Sequence, residues 1–101
     1  VPGGFAPDRL RRDPRLCPFV ADLCEQGKPV AAICHAGWML VSAKILKGRT
    51  ATSVGAIRDD MENAGAKWVN QPVVVDGNLI TSRTPDDLPA FMPAILKALG
   101  V

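Results

Sequence analysis

The stretch Lys28-Pro29-Val30-Ala31-Ala32-Ile33-Cys34-His35-Ala36-Gly37-Trp38-Met39-Leu40 constrains this chain more than any other. Val30 to Ile33 is an apolar run too short for a helix and right for a buried strand. Trp38 to Leu46 reads as a helix, extending to about Lys47 before Gly48 stops it. No loop fits between strand and helix, so Cys34 and His35 fall at a sharp turn. Such a turn pushes its cysteine out of the sheet edge, where the free N–H groups of the following helix point at it. Those groups and the helix dipole favour thiolate over thiol, and they can hold a developing oxyanion. This is the geometry of a nucleophile elbow, with Cys in place of the Ser of G-x-S-x-G.

Composition narrows the alternatives. The 101 residues make one domain or part of one, and 48% hydrophobic with 22% charged residues is ordinary for a globular fold. A net charge of +2 is too mild to argue for nucleic-acid contact. Arg9, Arg11, Arg12 and Arg15 read as the solvated face of a first helix. No apolar run approaches the length of a membrane span, and no signal-peptide pattern is visible. Three cysteines, an odd number, argue against a disulfide framework. Cys17 and Cys24 share one helix face and read as packed small apolar groups. With a single histidine and no C-x-x-C, neither a structural metal site nor another cofactor is expected. A reducing cytoplasm fits this cysteine usage best.

The remaining elements follow in order. Pro2-Gly3-Gly4 is a turn cluster able to let backbone approach a ligand closely. Ala6 to Leu10 starts a short helical turn. Asp13 as N-cap and Pro14 at the first helical position predict a helix over about 14–26, with Leu16, Phe19, Val20 and Leu23 at helical spacing. Arg49 to Thr52 and Lys67 to Val69 are short strand candidates, flanking a helix over about 57–64. Asp59 and Asp60 in that helix read as a solvated face. Val73-Val74-Val75-Asp76-Gly77-Asn78-Leu79-Ile80-Thr81-Ser82 is the clearest hairpin signal, with Asp76-Gly77 as its turn. Thr84-Pro85-Asp86-Asp87 opens a last helix with Leu88, Phe91, Ile95 and Leu99 as its buried stripe, which Pro93 should bend or break. Trp68 and Phe91 read as core. Strands alternating with helices imply a mostly parallel sheet covered on both faces and carrying a β-hairpin, with the active site at the carboxyl ends of the strands.

Taken together, Pro2-Gly3-Gly4…Ala6-Pro7-Asp8, Gly27-Lys28-Pro29-Val30-Ala31-Ala32-Ile33-Cys34-His35, Leu46-Lys47-Gly48-Arg49, Asp59-Asp60-Met61-Glu62-Asn63-Ala64-Gly65, Val73-Val74-Val75-Asp76-Gly77-Asn78 and Ser82-Arg83-Thr84-Pro85-Asp86-Asp87-Leu88 resemble the PfpI family. Its members are intracellular cysteine proteases, protein deglycases and general stress proteins of the class I glutamine amidotransferase-like superfamily. The resemblance implies a flavodoxin-like three-layer α/β sandwich that forms homodimers or hexamers. It also implies that residues 1–101 are the C-terminal part of a single domain. Roughly another 70 residues upstream would carry the first strands and a further glutamate at the nucleophile. The start at Val1-Pro2, without Met, is consistent with that expectation.

Carried over position by position, the resemblance makes Cys34 the nucleophile and His35 the adjacent triad histidine. The backbone N–H groups of Gly4 and His35 become the oxyanion hole. Asp8 falls where the family places a triad acid that reaches the partner subunit's Cys-His pair. Ala36-Gly37-Trp38 departs from the Gly-Pro that commonly follows Cys-His, and Trp38 narrows or lines the pocket. His35 is the only histidine, so an imidazole base must be this one, yet neighbouring residues usually point apart.

Three functions remain open at the level of sequence. One is a stress-related deglycase acting on methylglyoxal or glyoxal adducts, either on glycated protein or as small dicarbonyl adducts. The second is an intracellular cysteine peptidase using the same machinery. The third is a non-enzymatic oxidative-stress sensor using a reactive cysteine.

Overall fold

The computed structural model describes all of residues 1–101. Strand β1 (Val30–Ile33) runs parallel to β5 (Leu79–Ser82), from Val30 opposite Leu79 to Ile33 opposite Ser82. β4 (Val73–Asp76) completes this sheet antiparallel to β5, giving the order β1-β5-β4. β2 (Thr50–Ala51) and β3 (Lys67–Trp68) pair in parallel as a separate two-stranded sheet, where a single sheet was expected. On the outer edge of β1, the amino nitrogen of Val1 donates to the Ala31 carbonyl at 2.7 Å.

The alternation of β1 decides what covers it. Val30 and Ala32 are buried, and with Leu79 they join the main core beneath α2 (Leu16–Glu25) and α3 (Gly37–Ala43). The period of two sends Ile80 of β5 to the opposite face. There α5 (Leu88–Ala98) packs on β4 and β5 and contributes the buried Phe91. Two helical layers thus enclose a sheet, the three-layer α/β sandwich expected. Met39, Leu40, Leu46, Ile57 and Met61 are sealed from solvent in the main core. Each contributes about 1.5–3 kcal/mol of burial free energy.

Several local expectations are corrected. α2 begins at Leu16 rather than Pro14, because Asp13 does not cap it. The Asp13 carboxylate instead accepts the Arg15 backbone N–H at 2.9 Å and the Arg15 guanidinium, closing a turn upstream of the helix. α3 ends at Ala43, well short of Lys47. Lys44 takes a left-handed conformation with φ +60°, and the Ile45 N–H returns to the Leu40 carbonyl. That 6→1 closure is a Schellman-type stop. It turns Leu46 back into the core as non-helical chain.

The hairpin turn is Gly77-Asn78, since Asp76 still pairs with Leu79. Gly77 at φ +58° supplies the positive φ that a two-residue primed turn requires. Asp76, released from the turn, takes the Thr50 backbone N–H at 2.7 Å and the Arg49 guanidinium. The Asn78 amide donates to the carbonyls of Cys24 and Lys28. These contacts tie α2, β2 and the hairpin together at the amino end of β1.

The predicted helix over 57–64 is a 3₁₀ turn followed by α4 (Arg58–Asn63). The first helical segment is α1 (Ala6–Leu10). α5 runs unbroken through Pro93, which lies on its exposed side. Of its expected buried stripe only Phe91 is buried. Leu88 and Leu99 face solvent, 41% and 58% exposed.

Candidate active site

Ile33 is extended, and Cys34 then takes φ +61° before the backbone turns helical. Cys34 and Lys44 are the only non-glycine residues with positive φ. Holding a residue with a Cβ there costs about 1–3 kcal/mol, which the surrounding packing must over-determine. A 3₁₀ turn over Cys34–Ala36 continues directly into α3. The His35 N–H therefore stands in the first turn of a helical segment, where no intrahelical acceptor exists.

Small residues make the elbow tight. Ala36 and Gly37 are buried, and a Cβ on Gly37 would lie 2.6 Å from the Met61 Sδ and 3.0 Å from the Ile57 Cδ1. α3 can thus sit directly on α4. On the other side, Gly3 backs onto Cys34, and Gly4 follows at φ +67° with open space around it. The Pro2-Gly3-Gly4 turn thereby meets the carboxyl end of β1.

The Cys34 thiol is free and half-buried, and its Sγ lies 3.4 Å from the His35 Nδ1. Neighbouring residues do meet here, because the left-handed turn at Cys34 swings both side chains to one side. The His35 ring lies 5.1 Å from the Trp38 ring at 58°. Trp38 is itself fixed. Its Nε1 donates to the Asp60 Oδ2 at 2.9 Å, and the Arg11 guanidinium lies 5.5 Å from the ring centre. Arg11 Nε donates to the Ser42 Oγ at 2.9 Å.

Arg11 and Asp60, both expected on solvated faces, are therefore built into the wall around Trp38. Sequence reading missed them because i,i+1 charges such as Asp59-Asp60 carry no sign of which one turns inward. Asp8 is brought to Arg12, not to His35, within this chain; its Oδ2 accepts from the Arg12 guanidinium at 2.8 Å on the surface. Trp38 lines a groove of about 650 Å³ that neither Cys34 nor His35 lines. Trp68 packs against the core as expected, its Nε1 donating to the Ser53 Oγ at 3.0 Å. No three His, Cys, Asp or Glu side chains converge as a metal site would need.

A cysteine in a left-handed strand-to-helix turn, a histidine on its sulfur and Gly3 against its Cβ form one constellation. The sequence matches the model of the DJ-1/PfpI family over residues 1–98. The chain belongs to that family. Protein/nucleic acid deglycase 2 of Escherichia coli is 52% identical over 101 residues, covering 99% of this chain and 59% of that protein. Deglycase PfpI of Pyrococcus furiosus is 48% identical over 99 residues, covering 98% of this chain and 60% of its own length. Among solved structures, a two-domain protein of Anabaena variabilis with DJ-1/ThiJ/PfpI-like and ferritin-like domains superposes with a TM-score of 0.97 at 52% identity. That match covers 99% of this chain and 29% of the two-domain chain. The chain spans about 59% of the length of the curated relatives it matches. The DJ-1/PfpI fold thus confirms the expected sandwich.

Proposed function

We propose that this chain carries the nucleophilic centre of a cysteine-dependent deglycase, acting on the aminocarbinol and hemithioacetal adducts that methylglyoxal and glyoxal form with amines and thiols. The observation that carries this reading is the Cys34 Sγ lying 3.4 Å from the His35 Nδ1 in a half-open, left-handed elbow. The deglycase names of relatives about half identical to the chain support it.

For a methylglyoxal aminocarbinol the steps balance with one water. Cys34 Sγ replaces the amine on the aldehyde-derived carbon, and the amine leaves protonated by His35. A proton then moves from that carbon to the neighbouring carbonyl carbon, so the first carbon is oxidised and the second reduced. The product is a lactoyl thioester on Cys34. Water hydrolyses it to lactate and restores the thiol. The N–H groups of Gly4 and His35, which the family resemblance assigns to the oxyanion hole, would hold the oxyanion that forms during these steps. Asp8 completes the histidine's environment from a second copy of the chain in a homodimer or larger ring.

The test is lactate release from preformed methylglyoxal adducts of N-acetyl-lysine, with free methylglyoxal removed. Release by the chain and its loss in Cys34→Ser support the reading. Equal release by Cys34→Ser, or none by the unaltered chain in the presence of its partner copies, overturns it.

A further inference from the structure

The groove beside Trp38 is more basic than the chain as a whole. Arg11, Lys44 and Lys47 line it, against the single carboxylate of Asp60, with Asn63 adding an amide. The three cations thus outnumber the acid by two within one groove, which equals the net charge of the entire chain, +2. Asp60 is already engaged by the Trp38 indole N–H. Arg11 uses only its Nε on Ser42, so its two terminal nitrogens stay free to donate. Neither Lys44 nor Lys47 forms an ion pair, whereas five other basic residues do.

Lys44 occupies the left-handed stop of α3 with φ +60°, a position that Gly fills without strain. The same stop that turns Leu46 into the core places one of the groove's three cations at its edge. The groove also touches the chemistry. Trp38 lines it and stands 5.1 Å from the His35 ring. With a rise of about 1.5 Å per residue, Lys44 follows about 9 Å further along α3.

We propose that this groove is an anion subsite for a phosphate ester carried by the molecule that bears the adduct. The inference rests on the deglycase reading above and names the feature that the groove selects. A fixed guanidinium with free terminal donors and two unpaired ammonium groups suits a dianionic phosphate with three acceptor oxygens. A neutral carrier gains nothing there.

The test compares methylglyoxal adducts of GMP and guanosine, which share the reacting base and differ in the phosphate. At low salt kcat/KM for lactate release is expected to be about tenfold higher for the GMP adduct. The preference falls toward unity in Lys44→Glu/Lys47→Glu and when salt is raised to about 0.5 M. Lys44→Gly is expected to raise Tm while reducing the preference, which separates loss of charge from loss of folding. Inorganic phosphate should inhibit only the GMP adduct reaction; an equal effect on the guanosine adduct would make the groove a free-phosphate site instead and overturn the proposal.

Equal kcat/KM for the two adducts, or a preference that survives charge reversal, also overturns it. If neither adduct yields lactate, the deglycase reading has failed, and the groove is then judged by binding. Quenching of Trp38 emission in a Trp68→Phe background should occur with GMP and not with guanosine, and quenching by both or by neither rejects the subsite.

Discussion

Gly3 and Cys34 are packed so closely that a Cβ on Gly3 would lie 2.9 Å from the Cys34 Cβ and 3.2 Å from the Ile33 carbonyl oxygen. Both obstacles are backbone or the first atom of a side chain, so neither can rotate away. Gly3→Ala is therefore expected to displace the elbow itself. Overpacking of this kind costs about 1–3 kcal/mol. Activity should fall by at least about tenfold, since small displacements of a reacting group are felt strongly. Kinetics and a denaturant midpoint on the same variant check this. Unchanged kcat with an unchanged midpoint would refute the close approach.

Gly37 makes the corresponding contact on the far side of the elbow. A Cβ there would meet the Met61 Sδ at 2.6 Å and the Ile57 Cδ1 at 3.0 Å, and both side chains are buried. Gly37→Ala gains about 1 kcal/mol of helix propensity but is expected to lose more than that by overpacking, leaving a net destabilisation of about 1–2 kcal/mol. In a Met61→Ala background the sulfur is gone, and the same substitution should become neutral or stabilising. A double-mutant cycle in urea reads the coupling directly.

The strand-turn-helix unit was legible because its signal is local: an apolar tetrad, Cys-His with no loop residues, then an apolar helix. Whatever depended on a distant partner was not. Asp13 has the chemistry of an N-cap, yet Arg15 two residues on offers it a guanidinium as well as an N–H. Lys44 ends α3 although Gly48 is the obvious stop, because burying Leu46 requires the chain to reverse earlier. Asp76-Gly77 and Gly77-Asn78 are both good turn pairs, and the choice follows from Asp76 being wanted by Thr50 and Arg49. Leu88 and Leu99 carry the helical period of a buried stripe, but the sheet face that α5 meets takes only Phe91. In the candidate site, Cys34 and His35 were readable, while Arg11 and Asp60 reach Trp38 from separate segments.

Asp87 links stability to pH. Its carboxylate accepts two bonds from the Arg83 guanidinium and one from the Arg83 backbone N–H, at 2.8–3.1 Å. The Arg83 side chain is the leading cause that holds the Asp87 carboxyl below the ordinary carboxylate range. A folded-state value below the unfolded one, about 3.9, means that the stabilisation is fully present above about pH 4 and is lost as pH falls through the folded value. Stability measured from pH 6 down to pH 2 should decline in the unaltered chain and decline less steeply in Arg83→Gln. Parallel acid limbs for the two proteins would contradict this assignment.

Trp38 is expected to act as a positioning residue for His35. Trp38→Phe keeps a ring beside the imidazole but removes the N–H that Asp60 holds at 2.9 Å. Asp60→Ala removes the other end of the same bond. Each should cost about 1 kcal/mol of stability, given a partly exposed charged acceptor, and the double variant should cost little more than either alone. kcat should fall in both single variants with KM little changed, because the imidazole's neighbour has been loosened. Additive stabilities with an unchanged kcat would assign Trp38 to packing alone.

The proposed service of Asp8 to a second copy's site makes the most selective prediction. Within one chain Asp8 is held by Arg12 on the surface, 2.8 Å away, and makes no hydrogen bond to His35. If it serves a neighbour's site, Cys34→Ser and Asp8→Ala each abolish activity by damaging different halves of a shared centre. Mixing the two inactive proteins under conditions that exchange subunits then rebuilds intact centres. Random pairing of equal amounts makes about half of all dimers mixed, each with one of two centres whole, so about a quarter of wild-type activity should return. A structural role for Asp8 predicts no recovery, because a misfolded partner cannot lend a side chain. Arg12→Ala separates the cases further. It should free Asp8 and leave a cross-subunit site active, whereas an Asp8 needed only to pair with Arg12 would make Arg12→Ala as damaging as Asp8→Ala.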